Sequence, residues 1–394
     1  MSNLKRVNVV KYDFTPTTEG PFQKVDVARK SFKNAFKPEG KRDTKPLLRK
    51  VEEGGKPGHV SAEDQLNDVL YICPVEIGTP PQTLNLHFDT GNSDLWLWST
   101  ELDHKTQAGG KTKKHNIFDP KKSSTFKNVS GSKWKIRYGD GSTASGTVGT
   151  DNVTLGGLCV ENQANELANK LSPQFTQGAG DGLLGLAFGK INTVKPKPVA
   201  TPVEQRDAAE ADRGESFYTF GYIDADVLLR CNVTEPHYVP IDTSHGFWQF
   251  SSPAASINGT PFPRPDNTAI ADTGTTLALV SDDLCRAIYA AIPGAVFSAK
   301  CQGWTFPVGT PAAALPRVSF GVGDRQFEVQ KEDFGFAKCG DGMQYGGIQS
   351  RGDSKFDILG DTWLKGVYAV FDQGGKRFGV VQRVEGEQNV AAPE

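Results

Sequence analysis

The tripeptide Asp-Thr-Gly occurs twice in the 394-residue chain, at Asp89-Thr90-Gly91 and at Asp272-Thr273-Gly274. One copy arises by chance in about one chain in ten of this size, so the pair carries more weight than either member. Each residue type has a use in carboxylate chemistry. Asp89 and Asp272 supply the acids, Thr90 and Thr273 can donate hydrogen bonds behind them, and Gly91 and Gly274 let backbone approach closely at a loop tip. Two carboxylates about 3 Å apart would cost on the order of 5 kcal/mol to ionise together at an effective dielectric of about 20, so one proton would be shared. The ionised partner can draw a proton from a water between them while the protonated partner polarises a carbonyl. Such a pair hydrolyses an amide without metal, cofactor or covalent nucleophile, and none is expected. The plain alternative makes both Asp residues ordinary turn formers.

The surrounding sequence must supply rigid elements to hold the two tripeptides face to face. Forty-three Gly and 24 Pro interleave with short Val, Leu, Ile and Phe runs, a texture of short strands and tight turns that predicts an all-β protein. Strands are expected at 69–77, 82–88, 134–138, 147–155, 218–222, 247–252, 317–320, 326–329 and within 367–380. One helix is expected, over 281–292, with Ser281 as its cap and Asp282 and Asp283 at its positive end. Leu84 to Trp96 and Ile270 to Leu279 each run an apolar segment into Asp-Thr-Gly, which suggests two lobes of similar build. The expected division is a head at 1–59, lobes at 60–230 and 231–385, and a tail at 386–394.

Charge is unevenly spread. Residues 1–58 carry 14 Lys plus Arg against 7 Asp plus Glu, and the remainder 30 against 39. A basic head on an acidic body suits a pro-segment lying on an enzyme, or a solvated tail; an acidic body is a poor partner for nucleic acid. No stretch suits a membrane span, the opening residues lack the apolar run of a signal peptide, and a monomer is expected. Six Cys form no C-x-x-C pair, and sequons begin at Asn128, Asn152, Asn232 and Asn258.

Five motifs in order then resemble the pepsin-like aspartic endopeptidases, most closely their fungal aspergillopepsin, penicillopepsin and endothiapepsin branch, over nearly all of Val60 to Arg383. Phe88 to Trp96 is similar to the first catalytic loop and Ala271 to Thr276 to the second. Tyr138-Gly139-Asp140-Gly141-Ser142 looks like the flap that closes over substrate. Asp181 to Leu186 and Ile358 to Asp361 look like the elements that buttress each loop. The resemblance implies a bilobal acid-protease fold, two β-barrel-like lobes around a cleft for an extended peptide, and a shared-proton mechanism taken over from that family. It implies protein or peptide substrates, inhibition by pepstatin-like compounds, synthesis as a zymogen, and a secreted or vacuolar location. Tyr138 would fold over substrate, with Trp96 steadying it by a hydrogen bond, and Thr275 would support the second loop.

Departures from the family pattern generate further expectations. Asn92 stands where relatives usually have Ser or Thr donating to the catalytic carboxylate, so a shifted pH profile is expected. His87 precedes the first loop and, charged in acid, would oppose a substrate Lys that Asp140 could otherwise admit, which favours hydrophobic or aromatic residues at the cleavage point. The stretch 202–217 is shorter than in relatives and leaves room for at most one short element. Loss of an inner strand there would leave a catalytically impaired peptide-binding protein or a non-functional product. Cys301 and Cys339 lie near the family's second-lobe bridge and could form a displaced one. Arg351-Gly352-Asp353 is taken as a chance turn.

Overall fold

The computed structural model describes residues 48–50, 59–65, 70–195, 205–208 and 217–383. The fold begins with the alternation in Gln82–Asp89, where Leu84, Leu86 and Phe88 are buried. Period two sends those three side chains into the first-lobe core and turns His87 and Asp89 to the other face. Leu70–Ile77 pairs with this strand antiparallel, from Ile72 opposite His87 to Ile77 opposite Gln82. Gly78, at φ 86°, makes the turn that joins them.

Among the described residues, nine strands form the first-lobe sheet, eleven form a second sheet that runs from His59–Ser61 into the second lobe, and there are two four-stranded sheets besides. Each lobe has its own apolar core. One gathers Val75, Leu86, Phe88, Leu97 and Phe220; the other gathers Trp248, Phe250, Phe320, Trp363 and Phe378. The protein is therefore all-β, as the turn-rich composition predicts, and bilobal, as the repeated Asp-Thr-Gly segment suggests.

The short stretch 202–217, with room for at most one short element, holds one short strand among its described residues. Gln205–Ala208 pairs antiparallel with Phe217–Phe220 on one side and, through Gln205 and Arg206, with Val367–Asp372 on the other. A strand of four residues suffices to fill that place in the eleven-stranded sheet. Within the basic head, Leu48–Lys50 pairs antiparallel with Leu158–Leu171 at the edge of the first-lobe sheet. Residues 1–47 and 51–58 of the head, the tail after 383 and most of 196–216 lie outside the described residues.

The expected helix forms at Asp282–Ala290 and buries Leu284, Cys285, Ile288 and Tyr289; Ser281 sits at its cap position without a side-chain capping bond. A second helix of equal length, His104–Thr112, was not expected. Asp103 caps it, accepting from the Thr106 N–H at 3.0 Å and its hydroxyl at 2.7 Å. The Gly109-Gly110 pair argues against a helix in sequence, yet a Cβ on Gly110 would collide with the Trp98 ring. The glycine is there for close packing.

Candidate active site

Each Asp-Thr-Gly loop leaves the end of a buried strand that is held on both sides. In the first lobe, Gly182–Gly185 runs parallel to Gln82–Asp89, with Leu184 opposite Phe88, and antiparallel to Leu95–Trp98. In the second, Asp357–Leu359 runs parallel to Thr268–Ala271 and antiparallel to Ala278–Val280. The two motifs read as buttresses thus occupy equivalent places, and the internal repeat becomes a structural one.

The Thr side chains couple the loops across the lobes. Thr90 Oγ1 donates to the Ala271 carbonyl at 3.0 Å and accepts from the Thr273 N–H at 2.9 Å. Reciprocally, Thr273 Oγ1 donates to the Phe88 carbonyl at 2.8 Å and accepts from the Thr90 N–H at 3.1 Å. Both hydroxyls are buried and fully used, so each fixes the other loop's height and register. The Gly residues complete the exchange: a Cβ on Gly91 would strike the Asp272 carboxyl, and one on Gly274 the Asp89 carboxyl. Close approach at these two positions, not a special φ, requires glycine.

Asp89 and Asp272 are 6% and 8% exposed, so both carboxyls are nearly out of bulk water yet still reachable. Gly91 N–H donates to Asp89 Oδ1 at 2.8 Å, and Gly274 N–H to Asp272 Oδ1 at 2.9 Å. Thr275 Oγ1 adds a bond to Asp272 Oδ2 at 2.7 Å. Asn92, in the corresponding place of the first loop, does not reach Asp89. Its Oδ1 accepts from the Ser93 and Asp94 N–H groups at 2.6 and 3.0 Å, and its Nδ2 donates to the Tyr138 hydroxyl at 3.0 Å. The different reach expected of an amide at this position is what the structure shows, with the side chain turned from the carboxylate to the hairpin. An amide is one atom longer than a hydroxymethyl, and that length carries its nitrogen past the loop to Tyr138.

Tyr138 lies on a hairpin formed by Lys127–Arg137 and Thr143–Leu155, which pair up to Arg137 opposite Thr143. Its tip is closed by Tyr138 N–H to the Ser142 carbonyl at 2.9 Å and Gly141 N–H to the Tyr138 carbonyl at 3.0 Å. Only Gly141 there needs the left-handed region, at φ 82°; Gly139 has an ordinary φ and open space around it. Asp140 Oδ1 accepts from the Ser142 N–H and hydroxyl at 2.9 and 2.6 Å, so both serve the turn itself. Trp96 Nε1 donates to the Tyr138 hydroxyl at 2.7 Å. Burial, and then the Asp89 and Asp94 carboxylates, hold the phenol well above its ordinary range, so it stays neutral.

Phe175 escaped the sequence reading. It lies edge-on to both Trp96 and Tyr138, with ring centroids 4.8 and 5.4 Å away. Its only signal is an aromatic in a short helix, Pro173–Gln177, with Pro at its start. His87 places its Nε2 3.2 Å from the Thr273 carbonyl, a bond from the first-lobe strand to the opposite loop.

Two charged clusters lie behind the loops. Glu166 stands opposite Trp96 in the parallel pairing of Leu158–Leu171 with Leu95–Trp98, and it is 1% exposed. Burial and the adjoining Asp94 carboxyl push its acid well above the ordinary carboxyl range. In the second lobe, fully buried Asp357 accepts from Arg264 at 2.6 and 2.7 Å and from Arg351 at 2.6 Å. Arg351 also donates to Asn267 at 2.7 Å, so its guanidinium serves the lobe interior and the Arg-Gly-Asp triplet is no exposed recognition motif. Cys301 and Cys339 are joined in a disulfide.

Comparison with known proteins agrees with this geometry. The family profile of the eukaryotic aspartyl proteases matches residues 70–383. Aspergillopepsin-1 of Aspergillus flavus is 39% identical over 334 residues, covering 82% of this chain and 79% of that protein. Endothiapepsin of Cryphonectria parasitica is 40% identical over 321 residues, covering 78% and 74%. Penicillopepsin-1 of Penicillium rubens is 40% identical over 328 residues, covering 79% and 78%. The chain belongs to the eukaryotic aspartyl protease family, in its fungal pepsin-like branch. It is by class an aspartic endopeptidase.

Proposed function

We propose that the chain hydrolyses peptide bonds of proteins at acid pH through a water held between Asp89 and Asp272, and that it is made as a zymogen. The observation that carries this reading is the reciprocal exchange between the two loops, in which each glycine leaves room for the opposite carboxyl. In this reading one carboxyl serves as the base and the other, protonated, as the acid, because ionising two neighbouring carboxyls together is costly. The base takes a proton from water, the water oxygen adds to the peptide carbonyl, and the acid protonates the carbonyl oxygen. Collapse of the tetrahedral species returns a proton to the leaving nitrogen. Thr275 steadies Asp272 throughout, and the Tyr138 hairpin covers the substrate.

The basic head suits a pro-segment over an acidic body, and the backbone pairing of Leu48–Lys50 with Leu158–Leu171 is consistent with docking there. Secretion, by likeness to its relatives, fits this reading. The test is cleavage of denatured haemoglobin by the purified full chain from pH 3 to 6, with and without pepstatin. Acid-dependent cleavage stopped by pepstatin is expected; cleavage that pepstatin leaves untouched would assign the activity elsewhere.

His87 sets a preference within that activity. In acid its imidazolium would still donate to the Thr273 carbonyl while placing a positive charge beside the first loop. A peptide library digested at pH 4 is expected to be cut mainly between hydrophobic or aromatic residues, and His87→Asp to gain cleavage beside Lys. Dominant cleavage after Lys by the parent would contradict this assignment.

A further inference from the structure

Asn92 does two things at once from two separate atoms, where a hydroxyl would have to do both from one. Its Oδ1 receives two backbone N–H groups of its own loop, from Ser93 and Asp94, which fixes the orientation of the amide. That leaves Nδ2 pointing at the Tyr138 oxygen at 3.0 Å, beside the 2.7 Å bond from Trp96 Nε1. The phenol oxygen thus accepts twice, both times from the segment that follows Asp89. With both acceptor sites filled, Tyr138 can act toward anything else only as a donor.

We propose that Asn92 is a positioning residue that latches the hairpin tip onto the first Asp-Thr-Gly loop and turns the Tyr138 hydroxyl into a donor-only group. This inference rests on the peptidase reading for its purpose, but the latch itself exists in the free protein. Asn92 is 6% exposed, so solvent does not substitute freely for any of its three side-chain bonds. A neutral hydrogen bond contributes modestly, which sets the expected effect at about a two- to tenfold change in hairpin opening.

The test is backbone amide hydrogen exchange across residues 137–143 of the full chain, which needs no turnover. Asn92→Ser should speed exchange about two- to tenfold. In a Tyr138→Phe background, Asn92→Ser should add nothing, because the acceptor is gone. Equal exchange in parent and Asn92→Ser, or an undiminished effect of Asn92→Ser in Tyr138→Phe, would overturn the latch and leave Asn92 a loop residue only. An inert parent with the predicted exchange pattern would instead count against the peptidase reading and keep the latch.

Discussion

Replacing Asp272 by Asn is expected to lower kcat/KM by about a thousandfold or more while the melting temperature stays near the parent's, and Asp89→Asn to do the same. The structural side of this expectation follows from the bonds each carboxyl makes. An Asn at either position keeps a carbonyl oxygen for the Gly274 or Gly91 N–H. At position 272 the Thr275 hydroxyl can turn to accept from the new amide where it now donates to Oδ2. The Thr90 and Thr273 exchange between lobes does not involve the carboxyls at all, so the scaffold persists.

The chemical side is that an amide neither takes a proton from water nor gives one to a carbonyl at these pH values. Removing either partner also removes the repulsion that makes one proton stay, so neither single acid can do both jobs. Steady-state kinetics on a short peptide, beside calorimetry on the same samples, separate the two effects. A variant with a normal melt that retains more than a tenth of parental kcat/KM would sink the shared-proton mechanism.

The sequence disclosed the site better than the scaffold around it. Asp89, Asp272, Thr90, Thr273 and the two Gly residues were legible because the chemistry restricts residue type and the tripeptide is repeated. Tyr138 and Trp96 were legible only through a family pattern; nothing in their own spacing says that one indole meets one phenol. Leu158–Leu171 was missed because its buried face includes Asn165 and Glu166, which read as loop when burial is unknown. The strand Gln205–Ala208 was invisible for a different reason. Its four residues have no apolar alternation, and its place is set by partners, Phe217–Phe220 and Val367–Asp372, the second more than 150 residues away. Asn92 was legible as a departure, but its partner Tyr138 was not, since side-chain reach depends on backbone direction at a loop.

Glu166 leads to a second large effect, on stability and not on turnover. Its folded-state acid is raised by burial first and by the Asp94 carboxyl second, with a side-chain hydrogen bond between the two acids and an opposing one from Asn192. Asp94 is itself fully buried and accepts the Thr193 N–H at 2.7 Å, so the site favours one shared proton. A group held above its unfolded value stabilises the fold fully below the ordinary carboxyl range, and that contribution drains away as pH rises toward the folded value. Each unit by which the folded value exceeds the unfolded one corresponds to about 1.4 kcal/mol. The first lobe should therefore be most stable in acid and lose stability toward neutrality. Glu166→Gln keeps a neutral donor to Asp94 without a titrating proton. Its melting temperature is expected to fall below the parent's at pH 4 by a few degrees at most, and to decline distinctly less between pH 5 and 7. Calorimetry of both proteins across pH 4 to 7 tests this. Parallel curves would mean that the proton between Asp94 and Glu166 does not govern the pH range of the fold.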